Sequence, residues 1–572
     1  MVKLLLVGHR GVGKSSLLKN LKANFSNENI LFLSLDEFIE EKAACKISEL
    51  FKERGEPGFR QIEEECLLDL VTSNEKYSVV IDVGAGFAGK KPDSFKTLWV
   101  KRKIDSSQSQ FLNRPSLDGE LKISKERFEQ RQSYYQDISD VQMELREGKS
   151  TFAAGERLFF ENLLLNSKPS KSLENWSYTL KEDSSETQIS LLKNMGLKQF
   201  ELRDDLLSEE KIQSHLTSLP FLMSYRKNKE ILSADHKTWD WPIEWGQNSE
   251  APTLSLHKRK ESVEETIKHF PETSQMLKLA IPINNFSELK VCHEWYLKDQ
   301  KKRCFLPMSD GGRWFWYRLL MAQKMPLQFL RLGEGTAADQ PSLLEVLNFK
   351  SEFINFAAIL GAPVRHSYTP TFHQDYFTKK KANVLAIEIY EEEFDEALPF
   401  LQTLGLRWAA VTSPLKQKAA ELSESLNAVN TLFYDGAKWS FANTDEFGLA
   451  QLVGDKKEGV AVWGGGGVHK SIENLIPQAT FYSSRTGELK KGPKAAKPET
   501  LIWAVGNESF SKEGIFPPAD WPLKSILDLN YTQDSPGIEC VHKFSCQYQS
   551  GLGMFVAQAK KQQEFWNECE LK

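Results

Sequence analysis

The sequence has few cysteines, little net charge and no long apolar run. Its seven cysteines in 572 residues are scattered and form no C-x-x-C pair, which argues against a disulfide framework and for a reducing compartment. Lys and Arg number 73 against 78 Asp and Glu, so the chain lacks the basic footprint of a nucleic-acid-binding protein. No apolar run approaches the roughly 20 residues that span a bilayer, and the opening run at residues 4–7 is too short for a signal peptide. We therefore expect a cytoplasmic protein that binds neither nucleic acid nor membrane.

The composition and the strand pattern indicate a globular α/β chain of several domains. Charged residues make up 26% and hydrophobic residues 40%, which is ordinary for a folded protein. The length suggests three or four domains at roughly 150 residues each. Apolar strands such as residues 79–82, 277–281 and 459–463 alternate with longer helical patterns, which is typical of α/β folds. A polar stretch at 166–175 and a new strand near Phe353 predict segments 1–165, 175–347 and 353–572.

The first segment opens with a strand, a glycine-rich loop and a helix, KLLLVGHRGVGKSSLLKNL. Its glycines, lysine and serine fit G-x-x-x-x-G-K-[ST], whose backbone N–H groups cradle phosphates. Lys14 would reach the β- and γ-phosphates and Ser15 the magnesium ion. The alternative is a glycine-rich turn that matches by chance. The predicted ATP-binding residues are Gly8, Gly11, Gly13, Lys14, Ser15 and Ser16.

The sequence after this loop resembles shikimate kinase. SLDEFIEE and the G-x-x-x-F-R-x-x-E segment match that family, so the resemblance implies that Asp36 holds the shikimate hydroxyls and Arg60 the carboxylate. It further implies that the Gly84–Gly86 turn approaches the substrate, that Arg131 is a second substrate arginine, and that NRPSL is a lid whose Arg114 stabilises transferring charge. All of these residues are expected at one phosphoryl-transfer site.

One acidic residue of the shikimate kinase pattern is missing. The family has an acidic residue where this chain has Ser34, which puts magnesium positioning in question. VVID ends in Asp82 just before the glycines, as a Walker-B aspartate would. Our hypothesis is that Asp82 replaces the lost acid as a magnesium ligand; the alternative is that it only caps the strand end.

The second segment carries a lysine inside an apolar strand and a histidine after another strand. Desolvation of Lys278 would favour the neutral amine that forms a Schiff base, and His257 could act as a general base. Polar residues at several strand ends would converge on one site if the strands form a (β/α)₈ barrel. Taken alone, the lysine could be an edge residue and the histidine a structural one.

These residues also resemble type I 3-dehydroquinate dehydratase. The family pattern E-L-R matches Glu201 and Arg203, R-x-x-x-E matches Arg226 and Glu230, and S-A-P-G-Q matches residues 336–340. The resemblance implies that Lys278 forms an imine with the substrate ketone, while His257 removes the adjacent proton and protonates the departing hydroxyl. It implies substrate contacts from Thr336, Gln340 and an arginine, for which the segment MSDGGRWFWYR offers Arg318 or Arg313. Because the segment is well below the roughly 250 residues of such barrels, we expect a shortened barrel with one or two helices short or missing.

The third segment contains a second glycine-rich strand–loop–helix, VAVWGGGGVHK. Gly464, Gly466 and Gly467 fit the start of a dinucleotide-binding fingerprint, while His469 takes its third small position. About twenty residues later the sequence is YSSRT, without an acid for a ribose hydroxyl, so Arg485 favours the 2′-phosphate of NADP. A plain glycine-rich turn is the alternative. The expected cofactor residues also include Ser484 and Thr486.

Around this loop the chain resembles shikimate dehydrogenase. The matching segments are ILGAPVRHSYTPTFH, AVTSPLK, AVNTL, ANTDEFG and SGLGMFVAQA. The resemblance implies a substrate lobe at 353–450, an NADP lobe at 451–545 and a C-terminal helix that returns to the substrate lobe. It implies that Lys416 and Asp445 handle the proton that accompanies hydride transfer. The other implied substrate residues are Ser367, Thr369, Thr412, Asn430 and Gln558; Ala410 stands where the family has Asn.

Together the three resemblances imply a multifunctional enzyme of the shikimate pathway, with the domain order of the C-terminal part of the fungal pentafunctional enzymes. It would dehydrate 3-dehydroquinate, reduce the 3-dehydroshikimate with NADPH and phosphorylate shikimate with ATP and Mg²⁺. A homodimer is left open. One alternative is a non-catalytic sensor of the same layout, which should have lost the catalytic lysines and histidine that are present here. The other is an enzyme whose dehydratase domain is inactive.

Overall fold

The computed structural model describes residues 1–102, 125–145, 153–165, 173–216, 218–227, 238–350, 352–364, 367–423, 425–465, 468–493, 497–506, 510, 514–531 and 535–571. The chain forms two compact units. The first reaches to Glu352, and the second contains residues 353–394 and 401–572. Among the described residues, no helix is long and apolar enough to cross a membrane.

The first unit begins with a five-stranded parallel sheet in the order β2-β3-β1-β4-β5. The apolar side chains of β1 and β3 are buried on both faces of the sheet because helices cover it. The strands are β1 (Lys3–Val7), β2 (Ile30–Ser34), β3 (Ser78–Asp82), β4 (Lys96–Lys101) and β5 (Val141–Glu144). The helices are α1 (Lys14–Asn24), α2 (Leu35–Ala43), α3 (Ile47–Ser73), α4 (Lys125–Ile138) and α5 (Ala154–Leu165).

Seven further strands of the first unit, β6 to β12, pair in parallel in consecutive order, and an eighth strand, β13, pairs with β6. This is the strand order of a (β/α)₈ barrel, but among the described residues β12 and β13 do not pair, so the eight-stranded sheet is open between them. The strands are β6 (Trp176–Thr179), β7 (Gln199–Arg203), β8 (Phe221–Ser224), β9 (Trp239–Pro242), β10 (Thr253–Leu256), β11 (Met276–Leu279), β12 (Arg303–Phe305) and β13 (Gln328–Leu330). The helices are α6 (Glu186–Asn194), α7 (Glu209–Leu216), α8 (Val263–Lys268), α9 (Phe286–Leu297), α10 (Phe315–Leu320) and α11 (Leu343–Asn348).

The helices of this second sheet are short, as the segment length predicts. A single 3₁₀ turn at Ile243–Trp245 connects β9 to β10, and α8, α10 and α11 have six residues each. Strand β11 still lies between β10 and β12 with its apolar side chains buried. The strands therefore keep their order although the helical layer is reduced.

The second unit contains two sheets. The first has the order β15-β14-β16-β17-β18, in which β17 and β18 run antiparallel to their neighbours in the pairs β16–β17 and β17–β18. Its strands are β14 (Phe356–Gly361), β15 (Val384–Glu388), β16 (Leu406–Val411), β17 (Thr431–Tyr434) and β18 (Trp439–Ala442). Its helices are α12 (Thr369–Lys379), α13 (Phe394–Thr403), α14 (Leu415–Ala420) and α15 (Asp445–Val453).

The second of these sheets has the order β21-β20-β19-β22-β23-β24 and is parallel except for β20–β21. Its strands are β19 (Val460–Gly464), β20 (Thr480–Tyr482), β21 (Leu489–Lys491), β22 (Thr500–Ala504), β23 (Ser525–Asp528) and β24 (Gln547–Gln549). The remaining helices are α16 (His469–Leu475), α17 (Pro536–Phe544) and α18 (Leu552–Glu570).

The C-terminal helix α18 packs on the sheet that begins with β14. The indole of Trp566 is buried and donates to the carbonyl oxygen of Leu432 on β17 at 3.0 Å. Gln562 is also buried and donates to the carbonyl oxygen of Asn430 at 3.1 Å. The helix therefore supports the strand end from which Asn430 extends.

Candidate active sites

The loop after β1 forms a backbone cradle at the N-terminus of α1. Gly8, Gly11 and Gly13 all have positive φ angles, which glycine adopts without strain. A Cβ on Gly8 would lie 2.3 Å from the carbonyl oxygen of Val100, so no side chain fits there. Lys14 is buried and donates to the carbonyl oxygen of Gly8 at 2.8 Å. Burial lowers the pKa of Lys14, although Asp82 opposes this effect.

Asp82, at the end of β3, is an acidic side chain that contacts the first turn of α1. The hydroxyl of Ser15 donates to Oδ2 of Asp82 at 2.9 Å. Oδ1 of Asp82 is buried and accepts no hydrogen bond from the described residues, so one carboxylate oxygen is available to a ligand. Burial raises the pKa of Asp82 to about 6. Ser34, by contrast, caps α2 by accepting from the backbone N–H of Glu37.

A second cluster surrounds the Gly84–Gly86 turn after β3. A Cβ on Gly86 would lie 2.1 Å from Nη2 of Arg60 and 3.1 Å from Nη2 of Arg131, whereas one on Gly84 would lie 3.0 Å from Oδ1 of Asp36. The structure therefore brings Asp36, Arg60 and Arg131 together at this turn. Arg60 also pairs with the buried Glu63 at 2.6 Å.

Of the other expected ATP-binding residues, the structure describes Ser16 but not Arg114. Ser16 is exposed in the first turn of α1. Arg114 of the predicted lid lies outside the described residues. His9 is a residue of the loop that the sequence did not single out, and its ring stacks on Phe128 of α4 at 4.1 Å. Burial lowers the pKa of His9 to about 4, so this imidazole stays neutral between the cationic groups of the site.

Lys278 lies at the centre of the second site, inside the eight-stranded sheet. Its ammonium donates to Oδ2 of Asp240 on β9 at 2.7 Å and lies 3.6 Å from Oε1 of Glu201 on β7. All three side chains are buried. Burial alone would raise the pKa of Asp240, but Arg226 and Lys278 hold it well below its usual range. The strand lysine is therefore part of an ion-pair cluster and does not stand alone among apolar side chains.

Two of the predicted substrate arginines are held by carboxylates of the chain. Arg226 forms a two-pronged pair with Asp240, at 2.7 and 3.0 Å. Arg203 forms a similar pair with Asp205, at 2.9 and 2.7 Å. Such forks satisfy guanidinium geometry well, so a substrate carboxylate would have to displace them. Glu230 lies outside the described residues.

His257 directly follows β10 and faces the same cluster. Its Nε2 is buried without a hydrogen-bond partner among the described residues, while its backbone N–H donates to Glu244 at 2.8 Å. Burial lowers the pKa of His257 well below its usual value, and Arg226 and Lys278 add to the effect. The imidazole is therefore neutral at physiological pH, which is the state a general base requires.

The remaining residues of the second site come from α10 and from the loop that follows β13. Arg318 is buried; its Nε donates to the carbonyl oxygen of Pro307 at 3.0 Å, and it forms no ion pair with the described residues. Burial lowers its pKa to about 10. Gln340 folds onto its own loop, accepting from the N–H of Thr336 at 2.8 Å and donating to its hydroxyl at 3.1 Å.

The third site is built around a lysine–aspartate–asparagine cluster in the second unit. Lys416 donates to Oδ2 of Asp445 at 2.5 Å, and Asn430 donates to Oδ1 of the same carboxylate at 2.8 Å. Asn430 is fixed in turn because it accepts from the backbone N–H of Thr444 at 2.9 Å. Both oxygens of Asp445 are engaged, so the carboxylate orients the Lys416 amine.

Most of the other predicted substrate residues of this unit follow β14 or β16, which are adjacent parallel strands, and Gln558 lies on α18. The Ser367 hydroxyl donates to that of Thr369 at 3.1 Å. A Cβ on Gly361 at the end of β14 would lie 2.5 Å from Cγ2 of Thr412, which follows β16. Ala410 is buried on β16. Gln558 packs beside Gly448 of α15, where a Cβ would lie 3.1 Å from the Gln558 Cβ.

The predicted cofactor residues extend from β19 and β20. Gly464 has a positive φ, and a Cβ there would lie 3.3 Å from Oγ of Ser484. The ring of His469 contacts the carbonyl oxygen of Gly464 at 2.7 Å. A large side chain therefore contacts the loop backbone at the position where the dinucleotide-binding fingerprint has a small residue. The hydroxyl of Ser483 accepts from the N–H groups of Arg485 and Thr486. Gly466 and Gly467 lie outside the described residues.

Sequence reasoning did not single out Asp240 or Gln562. Asp240 lies between two tryptophans in the strand WDWP. Acidic residues are rarely buried, so an acid in such an apolar strand could have been identified from the sequence as a candidate site residue. Gln562 is one helical turn from Gln558, and its contact with Asn430 depends on tertiary packing. No local pattern points to that contact.

Two family models match the chain. The model described as shikimate kinase matches residues 10–158, and the model described as shikimate dehydrogenase substrate binding domain matches residues 359–432. A shikimate kinase of Flavobacterium johnsoniae is 32% identical over 123 residues, which cover 20% of this chain and 69% of that protein. A shikimate dehydrogenase (NADP(+)) of Mesorhizobium japonicum is 26% identical over 254 residues, covering 37% of this chain and 89% of that protein.

The solved structures that resemble the chain include shikimate dehydrogenase from Thermus thermophilus in complex with NADP(H) and shikimate. It is 21% identical, covers 37% of this chain and 94% of its own, and has a TM-score of 0.31. The chain is a multidomain α/β enzyme with a P-loop kinase domain in its N-terminal part. Through this part it belongs to the shikimate kinase family. In its second unit, residues 359–432 match the shikimate dehydrogenase substrate binding domain.

Proposed function

We propose that the chain is a multifunctional enzyme of the shikimate pathway that dehydrates 3-dehydroquinate, reduces 3-dehydroshikimate and phosphorylates shikimate. The observation that carries the proposal is that each segment holds the lysine its reaction needs in a fixed position. Lys278 and Lys416 donate to Asp240 and Asp445. Lys14 donates to the carbonyl oxygen of Gly8 in the glycine-rich loop, and Asp82 opposes the effect of burial on its pKa. We also propose that residues 1–165, 175–347 and 353–572 are the three catalytic domains.

In the kinase domain, Lys14 and the backbone of the glycine loop would bind the phosphates of ATP. Arg60 and Arg131 at the Gly86 turn would hold the shikimate carboxylate, and Asp36 its hydroxyls. The chemistry of the donor set fits Mg²⁺, since Ser15 and Asp82 offer oxygen ligands and Oδ1 of Asp82 has no hydrogen-bond partner in the part of the chain that the structure describes. Mg²⁺ would neutralise charge on the phosphates. Binding and orientation supply most of the acceleration in phosphoryl transfer.

In the dehydrogenase domain, Lys416 and Asp445 would handle the proton that accompanies hydride transfer. A Cβ on Gly464 would lie 2.3 Å from Cγ2 of Val505, so only glycine fits there, as the phosphate-binding turn of a dinucleotide site requires. NADPH would supply the hydride. Arg485 would bind the 2′-phosphate, while Ser367, Thr369, Thr412 and Asn430 would orient 3-dehydroshikimate so that its ketone oxygen lies near Lys416.

In the eight-stranded segment, the neutral amine of Lys278 would attack the ketone carbon of 3-dehydroquinate and release water. His257, neutral and with an Nε2 that has no hydrogen-bond partner among the described residues, would remove the adjacent proton and return it to the departing hydroxyl, which leaves as water. The positively charged imine nitrogen would accept the electron pair of the carbanion. Water would then hydrolyse the product imine, which releases 3-dehydroshikimate and the amine of Lys278. Arg318, buried without an ion pair to the described residues, is the best candidate to bind the substrate carboxylate.

A second candidate function is an enzyme whose dehydratase domain is inactive. The specific observation in its favour is that Lys278, Arg226 and Arg203 are all engaged by carboxylates of the chain. Imine formation requires loss of a proton from Lys278, and a substrate contact to Arg226 or Arg203 would require displacement of the fork that holds that arginine. In this case the kinase and dehydrogenase reactions would remain.

The proposal is tested by assaying the three reactions separately with the full-length chain. The assays are ATP-dependent phosphorylation of shikimate, NADP⁺-dependent oxidation of shikimate and conversion of 3-dehydroquinate to 3-dehydroshikimate. We expect turnover in all three. Activity in the first two alone would favour the inactive dehydratase, and saturable binding of substrates without turnover in any assay would favour the sensor.

A further inference from the structure

One loop of the eight-stranded segment contacts β5, the edge strand of the kinase sheet. This loop, residues 333–340, follows β13 and contains Thr336 and Gln340. Arg331, just before it, forms an ion pair with Glu144 at the C-terminal end of β5, with 3.0 Å between Nη1 and Oε2. Both side chains are mostly buried, with exposed fractions of 15% and 27%.

Arg331 is connected to both ends of the loop. Its Nη1 donates to the carbonyl oxygen of Gly333 at 2.7 Å, and its Nε donates to that of Gln340 at 3.0 Å. One guanidinium therefore ties the first and last turns of the loop together, and Glu144 neutralises its charge. Lysine lacks the fork needed to reach two carbonyl groups and a carboxylate at once.

The edge strand β5 also shapes the loop directly. A Cβ on Gly333 would lie 2.1 Å from Oε1 of Gln142, so this glycine admits the Gln142 side chain against the loop backbone. Lys181, after β6, donates to the carbonyl oxygen of Glu334 at 2.8 Å. The loop is thus held between a kinase strand on one side and its own sheet on the other.

The other end of the loop leads to the candidate carboxylate-binding region. Asp339 accepts from the backbone N–H of Trp314 at 2.6 Å and from the hydroxyl of Ser309 at 2.9 Å. These two residues precede α10, which carries Arg318. A displacement of the loop would therefore disturb Gln340 and the segment that leads to Arg318.

We propose that Glu144 and Arg331 are positioning residues through which the kinase domain holds the substrate loop of the dehydratase in place. The functional part of this inference rests on the proposed dehydratase activity. Its structural part, that Glu144 orders residues 333–340, does not. Neither residue touches the reacting atoms, so their effect reaches substrate only through Thr336, Gln340 and the Arg318 segment.

The test uses the full chain and the variants Glu144→Gln and Arg331→Lys, with Glu28→Gln as the matched control because Glu28 is an exposed acid of the kinase domain. In Glu144→Gln we expect amide hydrogen exchange in residues 333–340 to become about twofold to fivefold faster, as loss of an ion pair of this kind implies, while exchange in β6–β13 stays unchanged. We expect the KM for 3-dehydroquinate to rise by a similar factor with little change in kcat. Arg331→Lys should show both effects more strongly.

Two results separate the possible failures. The inference would be overturned if residues 333–340 had the same amide hydrogen-exchange rate in Glu144→Gln, Arg331→Lys and the Glu28→Gln control. This holds whatever the dehydratase activity of the variants. A parent chain without dehydratase turnover would refute the proposed activity, but faster exchange in the two variants would still support the positioning role of the pair. A general rise of exchange throughout the first unit would also overturn it, because that would indicate a merely structural role.

Discussion

Asp82 and Ser34 are register partners at the C-terminal ends of two adjacent parallel strands, β3 and β2. The shikimate kinase pattern has an acid at the position of Ser34, and here the acid stands one strand away. Ser15 donates to Asp82 at 2.9 Å, so the carboxylate lies beside the hydroxyl that would bind magnesium. Ser34 caps α2, so the acid beside the glycine-rich loop comes from β3 instead of β2.

Replacement of Asp82 tests this account of the kinase site. We expect Asp82→Asn to lower kcat/KM for MgATP by about tenfold or more, since a bound cation supplies several kcal/mol of charge stabilisation, and to raise the Mg²⁺ concentration needed for half-maximal activity. Ser34→Asp in the Asp82→Asn background should restore part of the loss. Unchanged magnesium dependence in Asp82→Asn would show that this carboxylate is only a strand cap.

The kinase reaction should lose activity in acid because of the same carboxyl group. Burial raises the pKa of Asp82 to about 6, so the group is ionised at pH 7 and becomes protonated as the pH falls through about 6. Protonation removes a magnesium ligand. A pH profile of kcat/KM, which reports on the free enzyme, should therefore decline below about pH 6. The Asp82→Asn variant should lack this inflection, and an inflection that persists in the variant would assign it to another group.

Lys278 can be tested by trapping the proposed imine. Borohydride reduction in the presence of 3-dehydroquinate should attach the substrate skeleton to Lys278, as peptide mass spectrometry would detect. Lys278→Ala should abolish both labelling and dehydratase turnover. Lys260→Ala is the matched control, because Lys260 is exposed in the same segment. Turnover that survives in Lys278→Ala would exclude the Schiff-base route.

The pairing of Asp240 with two buried cations predicts a large stability effect. Asp240→Asn leaves Arg226 and Lys278 without their carboxylate, so the local free energy of unfolding should fall by about 3 kcal/mol or more. Hydrogen exchange of β9, β10 and β11 would measure it. Asp205→Asn, which breaks the more exposed pair with Arg203, should cost about 1 kcal/mol or less. Equal effects would mean that burial of the Asp240 pair has no energetic consequence.

The Lys416–Asp445 pair predicts a selective loss of dehydrogenase activity. Lys416→Ala removes the group that would move the proton, so kcat should fall by about 10²- to 10⁴-fold. Asp445→Asn should have a smaller effect because it removes only the orientation of the amine. Lys438→Ala, at an exposed lysine of the same unit, should have no effect, and kinase activity should be unchanged in all three. Loss of both activities would point instead to a folding defect.

The glycine-rich loops and strand ends were predictable because their chemistry is local. A phosphate-binding loop needs consecutive backbone geometry, so Gly8, Gly13 and Lys14 can be identified from spacing alone. Strand β19 and its glycine at 464 follow from the same reasoning. The reduced helical layer of the eight-stranded sheet also followed from local information. The 26 residues between Glu230 and His257 cannot hold two full β–α crossings.

The ion-pair network around Lys278 was not predictable in this way. Asp240 reaches Lys278 across 38 residues of sequence, and its role depends on the register of β9, β10 and β11. The strand pattern shows that the lysine is buried but not which acid lies opposite it. The contact between Glu144 and Arg331 spans 187 residues and two sheets, so only tertiary packing reveals it.

The most direct test of the whole account is one incubation of the full-length chain with 3-dehydroquinate, NADPH, ATP and Mg²⁺, with products identified by mass spectrometry. The account predicts shikimate 3-phosphate, and it predicts that Lys278→Ala forms this product only when 3-dehydroshikimate is supplied instead. Persistence of 3-dehydroquinate with the parent chain, under conditions where 3-dehydroshikimate is converted, would contradict the claim of three activities.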